Sequence, residues 1–183
     1  DVTVTVGYKG PIVLNGSEIV DNKNSSFNVQ VNVSDITKKH GIVFLYNSIF
    51  GKESYYSFTS QDNKVRLYLF DGTEEKLLKT KLNVNVTEGL HTYGIELAKD
   101  GTINCLFDGE VMITRQVSAM SNAITQPGQY GAFADADNVS VTSFTVNYGR
   151  AKLGTIKQSL IDTYSCVELS TYKFDLSTWT IIN

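Results

Sequence analysis

The 183-residue chain has two prolines, two cysteines, two histidines and one tryptophan, and no apolar run near the roughly 20 residues that span a bilayer. Each scarcity removes a class of protein. Without a long apolar run no membrane insertion is expected, and Asp1 opens the chain without the basic-then-apolar pattern of a signal peptide. The chain as given is expected to be soluble, with any export signal outside it. Cys105 and Cys166 have neither a second thiol nearby nor clustered histidines, which removes zinc sites of the usual spacing. In the alternating run "TINCLFDG" Cys105 reads as a buried free thiol, with a disulfide to Cys166 as the alternative. His40 and His91 have no serine, cysteine or carboxylate at a spacing that announces a triad, so both read as structural or surface residues. Sixteen basic and nineteen acidic residues, spread along the sequence at a net charge of -3, leave no basic stripe to neutralise a phosphate backbone. Nucleic acid is therefore not an expected partner.

What the chain does have is 42% hydrophobic and 11% aromatic residues, enough for a packed core. Its length fits one fair-sized domain better than two. From Phe27 onward, apolar and polar residues alternate in "FNVQVNV", "YGIEL", "TINCLF" and "VSVTSFTVN", the two-residue period of half-buried strands. Asp-Gly recurs in "FDGT", "KDGT" and "FDGE", and glycine there supplies the positive φ of tight antiparallel connections. "EEKLLKTKL" lies between a hairpin and a strand and reads as strand. One segment reads as helix: "GTIKQSLIDTYS", residues 154–165, where Ile156, Leu160 and Ile161 form a short 3.6-period stripe. Many short strands with regular turns predict an all-β antiparallel sandwich or jelly roll, with one short helix near the C-terminus. Asn-x-Ser/Thr sequons at Asn15, Asn24, Asn32, Asn85 and Asn138 point to a secreted or cell-surface setting.

An ordered set of pieces carries a resemblance: "FNVQVNV", "GIVFLYNS", "YYSFTSQDNKVRLYLFDG", "GLHTYGIELAKDGTINCLFDGEVM" and "GQYGAFADADNVSVTSFTVN". Residues 27–147 resemble the concanavalin A-like jelly rolls, especially the laminin-G-like sugar-binding modules attached to bacterial glycoside hydrolases, fructan-binding ones included. The resemblance implies a lectin-like, carbohydrate-binding β-sandwich of a larger multimodular protein, with an oligo- or polysaccharide as partner. The chain departs from the pattern at Leu45, where many relatives have an arginine after "G-I-x-F".

Such modules usually open with a segment like "F-x-x-x-x-W-T-x-x-N-G". Here "YKFDLSTWTIIN" stands at residues 172–183, and the opening "DVTVTVGYKGPIVLNGSEIV" looks like its continuation. A single domain over 1–183 is therefore expected, with 148–171 as linker and short helix and 172–183 as a terminal strand. That strand either closes its own sandwich, completes a neighbouring one by strand exchange, or marks a tandem array cut out of phase.

The resembling superfamily includes glucanases whose catalytic carboxylates follow a pattern like E-x-D-x-x-E, and no such run occurs here, so no catalytic residue and no enzyme is expected. Asp135, Asp137 and Asn138 offer oxygens to calcium, but a full shell needs others such as Asp62 or Asp108, and the metal-free turn is the favoured reading. In "YYSFTSQDNKVRLYLF" the two-residue period puts Tyr56, Phe58, Val65, Leu67 and Leu69 on a core face. Tyr55, Ser57 and Thr59 then share the other face with Arg66, Tyr68 and Phe70. Tyrosine and arginine on a rigid sheet offer a sugar both stacking and hydrogen bonds, which makes Tyr55, Ser57, Arg66 and Tyr68 the candidate ligand-binding set. Ordinary cross-strand pairing, or a floor covered by 148–183, is the alternative.

Overall fold

The computed structural model describes residues 4–5, 12–49, 51–117, 120, 122–135, 140–148 and 180–182. These form thirteen strands: β1 (Val4–Thr5), β2 (Ile12–Val20), β3 (Ser25–Val33), β4 (His40–Ile49), β5 (Lys52–Gln61), β6 (Lys64–Phe70), β7 (Glu75–Leu82), β8 (Gly89–Leu97), β9 (Thr102–Phe107), β10 (Glu110–Gln116), β11 (Gly128–Ala134), β12 (Ser140–Tyr148) and β13 (Thr180–Ile182). No helix occurs among the described residues, and "EEKLLKTKL" is strand β7, as expected. The helix expected at 154–165, the rest of the linker after Tyr148, Cys166 and residues 172–179 lie outside the described residues.

Two antiparallel sheets result. One is ordered β1-β12-β3-β8-β9-β10, the other β13-β2-β11-β4-β5-β6-β7. Strand β3 shows how the sequence builds them: its residues alternate strictly between buried and half-buried, sending Phe27, Val29, Val31 and Val33 into the core. The core face read from the β5–β6 sequence is also the observed one, since Tyr56, Phe58, Val65, Leu67 and Leu69 are fully buried. Between the sheets, Phe27 meets Tyr130 at 4.9 Å and Phe44 at 6.0 Å, while within the six-stranded sheet Tyr93 meets its cross-strand partner Phe107 at 5.3 Å edge-on. Each such pair adds about 0.5–1.5 kcal/mol beyond the area it buries. The polar ends are matched: the Tyr93 hydroxyl lies 2.6 Å from Ser60 Oγ, and the Tyr56 hydroxyl accepts the Ile124 N–H at 3.1 Å. Cys105 is a free thiol deep in this core, and burial pushes its pKa upward.

Turn chemistry sets the hairpins. Asp108 and Gly109 both take positive φ between β9 and β10, the pairing that matches strand twist, and Asp62-Asn63 does the same between β5 and β6 without glycine. At the far edge of the seven-stranded sheet, β13 pairs antiparallel with β2 of the same chain, Ile181 opposite Val13.

Candidate functional site: the outer face of the seven-stranded sheet

The register places the candidate residues together on the face turned away from the core. Tyr55 stands opposite Phe70, Ser57 opposite Tyr68, and Thr59 opposite Arg66. Strand β4 continues the rows with Val43 beside Ser57 and Gly41 beside Thr59, and β11 adds Gly131 and Phe133. Small residues therefore form the middle of the face, with rings and the arginine around them. Tyr55 contacts Phe70 at 5.1 Å and Tyr46 at 6.4 Å, and with Val43 and Phe133 they make a second apolar cluster separate from the core.

The sequence reads this face as turned away from the core, either open to a ligand or solvent or covered by 148–183, most of which lies outside the described residues. In the structure Tyr55 and Tyr68 are only 7% exposed and Ser57 1%, while Arg66, Tyr46 and Phe70 are half-buried. A period-two reading of a single hairpin gives the face of a residue and not the depth at which it lies. Tyr46, Phe133 and Lys39 belong to the face as well, and only the pairing of β4 with β5 and of β11 with β4 brings Tyr46 and Phe133 there.

Two polar atoms on this face lack partners. Among the described residues, the buried side-chain nitrogens and oxygens without a hydrogen bond are Ser57 Oγ, Arg66 Nε and Arg115 Nε. The first two are diagonal neighbours on one face of the β5–β6 hairpin. A buried donor without an acceptor costs free energy that a ligand oxygen can return.

Charges gather at the rim. Lys39 Nζ lies 2.8 Å from Glu75 Oε1 and 4.2 Å from the centre of the Tyr68 ring. Burial alone would lower its pKa, but the hydrogen bond and attraction of Glu75 outweigh that and raise it. Burial raises Asp135, against the pull of Lys39. It raises Tyr55 too, with Glu75, Glu53 and Asp135 adding to the effect.

Leu45 does not occupy the outer face. A β-bulge between Phe44 and Asn47 turns it, at φ +51°, into the core between the sheets. An arginine at this place in the strand would meet the same inward turn.

The histidines are both buried and bonded. His40 Nδ1 lies 3.0 Å from the Lys38 carbonyl, and burial depresses its pKa. His91 joins a set that spacing did not announce: Nδ1 lies 2.7 Å from Asp108 Oδ2, and Nε2 lies 3.2 Å from Thr87 Oγ1. This order of hydroxyl, imidazole and carboxylate resembles a triad. However, Nε2 is 2.7 Å from the Thr87 carbonyl, which can only accept, so Nε2 carries a hydrogen and is not free to take one from the hydroxyl. Stacked on Phe107 at 4.9 Å, the imidazole clamps the loop before β8 to the β9–β10 turn.

Among the described residues no three His, Cys, Asp or Glu side chains gather as a metal would need. Asp108 is engaged by His91 and the Thr92 N–H. Asp137 and Asn138 lie outside the described residues.

No protein family and no curated protein matches the chain by sequence. Solved structures do match its shape. A carbohydrate-binding module, CBM66 from Bacillus subtilis, superposes with a TM-score of 0.53 at 10% identity over 69% of this chain and 76% of its own. Sheep galectin-11 gives 0.54 at 10% identity over 76% and 99%. A family 16 endo-glucanase from Bacteroides ovatus gives 0.56 at 11% identity over 79% and 80%. The fold is the concanavalin A-like jelly roll. Identity this low speaks for the fold alone, and binding proteins and hydrolases share it.

Proposed function

We propose that the protein is a non-catalytic carbohydrate-binding module, secreted or at the cell surface and part of a larger multimodular protein. It takes an oligo- or polysaccharide on the outer face of the seven-stranded sheet. The observation that carries this reading is the pairing, on one face, of an aromatic cluster with two donors that lack protein acceptors, Arg66 Nε and Ser57 Oγ. Rings meet the C–H patches of a sugar and the donors meet its hydroxyls. A carbohydrate-binding module and a galectin among the similar structures support the same reading.

Hydrolysis is disfavoured by what fills the centre of the face. Glycosidases hold two carboxyls about 5–9.5 Å apart across the scissile bond. Here the paired central positions are Gly131, Val43, Ser57 and Tyr68, then Phe133, Gly41, Thr59 and Arg66, none of them acidic. The nearest acids lie at the rim, and Glu75 is bound to Lys39.

Retention of the protein on a panel of immobilised polysaccharides tests the reading. The wild type is expected to be retained and Arg66→Ala to run unretarded. Equal retention of both removes this site, and no retention of the wild type by any glycan removes the function. The alternative is a structural or adhesive module assembling through its terminal strand. It draws on the pairing of β13 with the edge of β2, which the same segment of a neighbouring copy could make. A strictly monomeric mass in solution excludes it.

A further inference from the structure

One ring of the outer face is already occupied. Tyr68 stands in the register between Ser57, too small to cover an aromatic ring, and Leu77, itself 52% exposed. Yet Tyr68 is only 7% exposed. The group seen over its ring is the Lys39 ammonium, 4.2 Å from the ring centre. A cation on the π-face takes the place in which the C–H patch of a sugar would stack. With so little of the residue exposed, no second face of the ring is open to a ligand.

Lys39 reaches this ring from a distance. It stands just before β4, its ion-pair partner Glu75 opens β7, and β5 and β6 lie between them in the sheet. Three strand spacings amount to roughly 14 Å, so the two side chains together bridge the β5–β6 hairpin. The root of Lys39 is fixed: its carbonyl accepts the Asp135 N–H at 2.9 Å, and the Lys38 carbonyl lies 3.0 Å from His40 Nδ1. Uncovering the ring therefore needs rotation of one side chain and no movement of the backbone.

A second carboxylate stands beside that root. Asp135 is exposed, is attracted by Lys39, and among the described residues enters no salt bridge. Glu75 thus holds the ammonium over Tyr68, while Asp135 offers it a partner away from the ring.

We propose that Lys39 is a side-chain gate on the glycan site. Bound to Glu75 it covers Tyr68, and swung back to Asp135 it leaves the ring free. On the reading that the outer face holds the sugar, Glu75 and Asp135 set the affinity without touching the ligand. A sugar that stacks only in the open position binds more weakly by the fraction of protein that is closed.

Calorimetric titration with a fragment of a polysaccharide that retains the protein, together with the NMR signal of the Lys39 ε-methylene, tests this. In the free wild type the Tyr68 ring current should shift that signal upfield, and saturating fragment should return it to its ordinary position. Glu75→Gln is expected to tighten binding about 3- to 5-fold, the scale of a solvent-screened ion pair, and Asp135→Asn to weaken it about 2-fold. Both substitutions keep the shape of the side chain at the rim, so folding is retained. A Lys39 signal that stays upfield with fragment bound overturns the gate and leaves the outer face as the sugar site. So does any order of affinity other than Glu75→Gln tightest, wild type between and Asp135→Asn weakest. Failure of every polysaccharide to retain the wild type overturns the outer-face reading itself, and the gate with it.

Discussion

Gly41→Ala is expected to destabilise the protein by about 3 kcal/mol, the upper end of what overpacking costs. Gly41 lies inside the seven-stranded sheet, paired with Thr59 on one side and Phe133 on the other. A methyl group there would overlap the Phe58 carbonyl oxygen and stand 2.8 Å from Thr59 Cα and 2.9 Å from the Phe58 carbonyl carbon. Overpacking is tolerated where a flexible side chain can yield, but these atoms are backbone fixed in the β4–β5 ladder. For a chain of this length each 1 kcal/mol shifts melting by about 2–4 °C, so the midpoint should fall by about 6–12 °C. Gly94→Ala supplies the internal control, because its new Cβ would meet Leu106 Cβ at 3.5 Å, Asn28 Cβ at 3.7 Å and the Leu106 carbonyl oxygen at 3.9 Å, all ordinary contacts. That variant should melt within about 2 °C of the wild type, because nothing around the added methyl has to shift. Scanning calorimetry reads both. A Gly41→Ala protein that melts like the wild type, or a Gly94→Ala protein that falls as far, would refute the register on which the outer face is built.

Other expectations follow from the same contacts. Burial lowers the pKa of His40 below its unfolded value of about 6.5, so the unfolded chain binds more protons just beneath that pH. Stability from this group is full above about pH 6.5 and is lost as pH falls through the folded value; His40→Gln should flatten the fall of melting temperature from pH 7 to 5, and an unchanged slope would assign it elsewhere. Deleting residues 172–183 removes β13 and leaves the β2 edge unpaired, so the truncated protein should melt lower and aggregate on size exclusion; wild-type melting with sharp, dispersed NMR signals would make the segment dispensable. Chelator should leave melting unchanged, whereas a drop would show a bound cation that stabilises the native state by mass action.

The fold was legible wherever one face of a strand is buried, because the period-two pattern then has to appear in the sequence. Strand β3 and the β5–β6 hairpin show this, as do the Asp-Gly turns that join β9 to β10. The β5–β6 part of the outer face was legible for the same reason, but its other members and its burial were not. How deep Ser57 lies depends on Val43 and Tyr68 across two ladders and on Phe133 from β11, more than seventy residues away in sequence. The inward turn of Leu45 was not legible, since one bulge reverses every side chain after it and nothing in "GIVFLYNS" marks where the extra residue falls. The Thr87–His91–Asp108 set escaped notice because Asp108, seventeen residues from His91, reaches it only through the β8–β9 pairing.

The account stands most directly on where a sugar touches the molecule. A titration of isotopically labelled protein with a polysaccharide fragment that retains it, followed by amide chemical shifts, locates that contact residue by residue. Shifts concentrated at 41–43, 55–59 and 66–70, and abolished by Arg66→Met at an unchanged or slightly raised melting temperature, are the predicted result. Removing a buried donor that has no acceptor leaves nothing unsatisfied in the folded protein. Shifts confined to the six-stranded sheet, or a pattern that persists undiminished in the Arg66→Met protein, would contradict it.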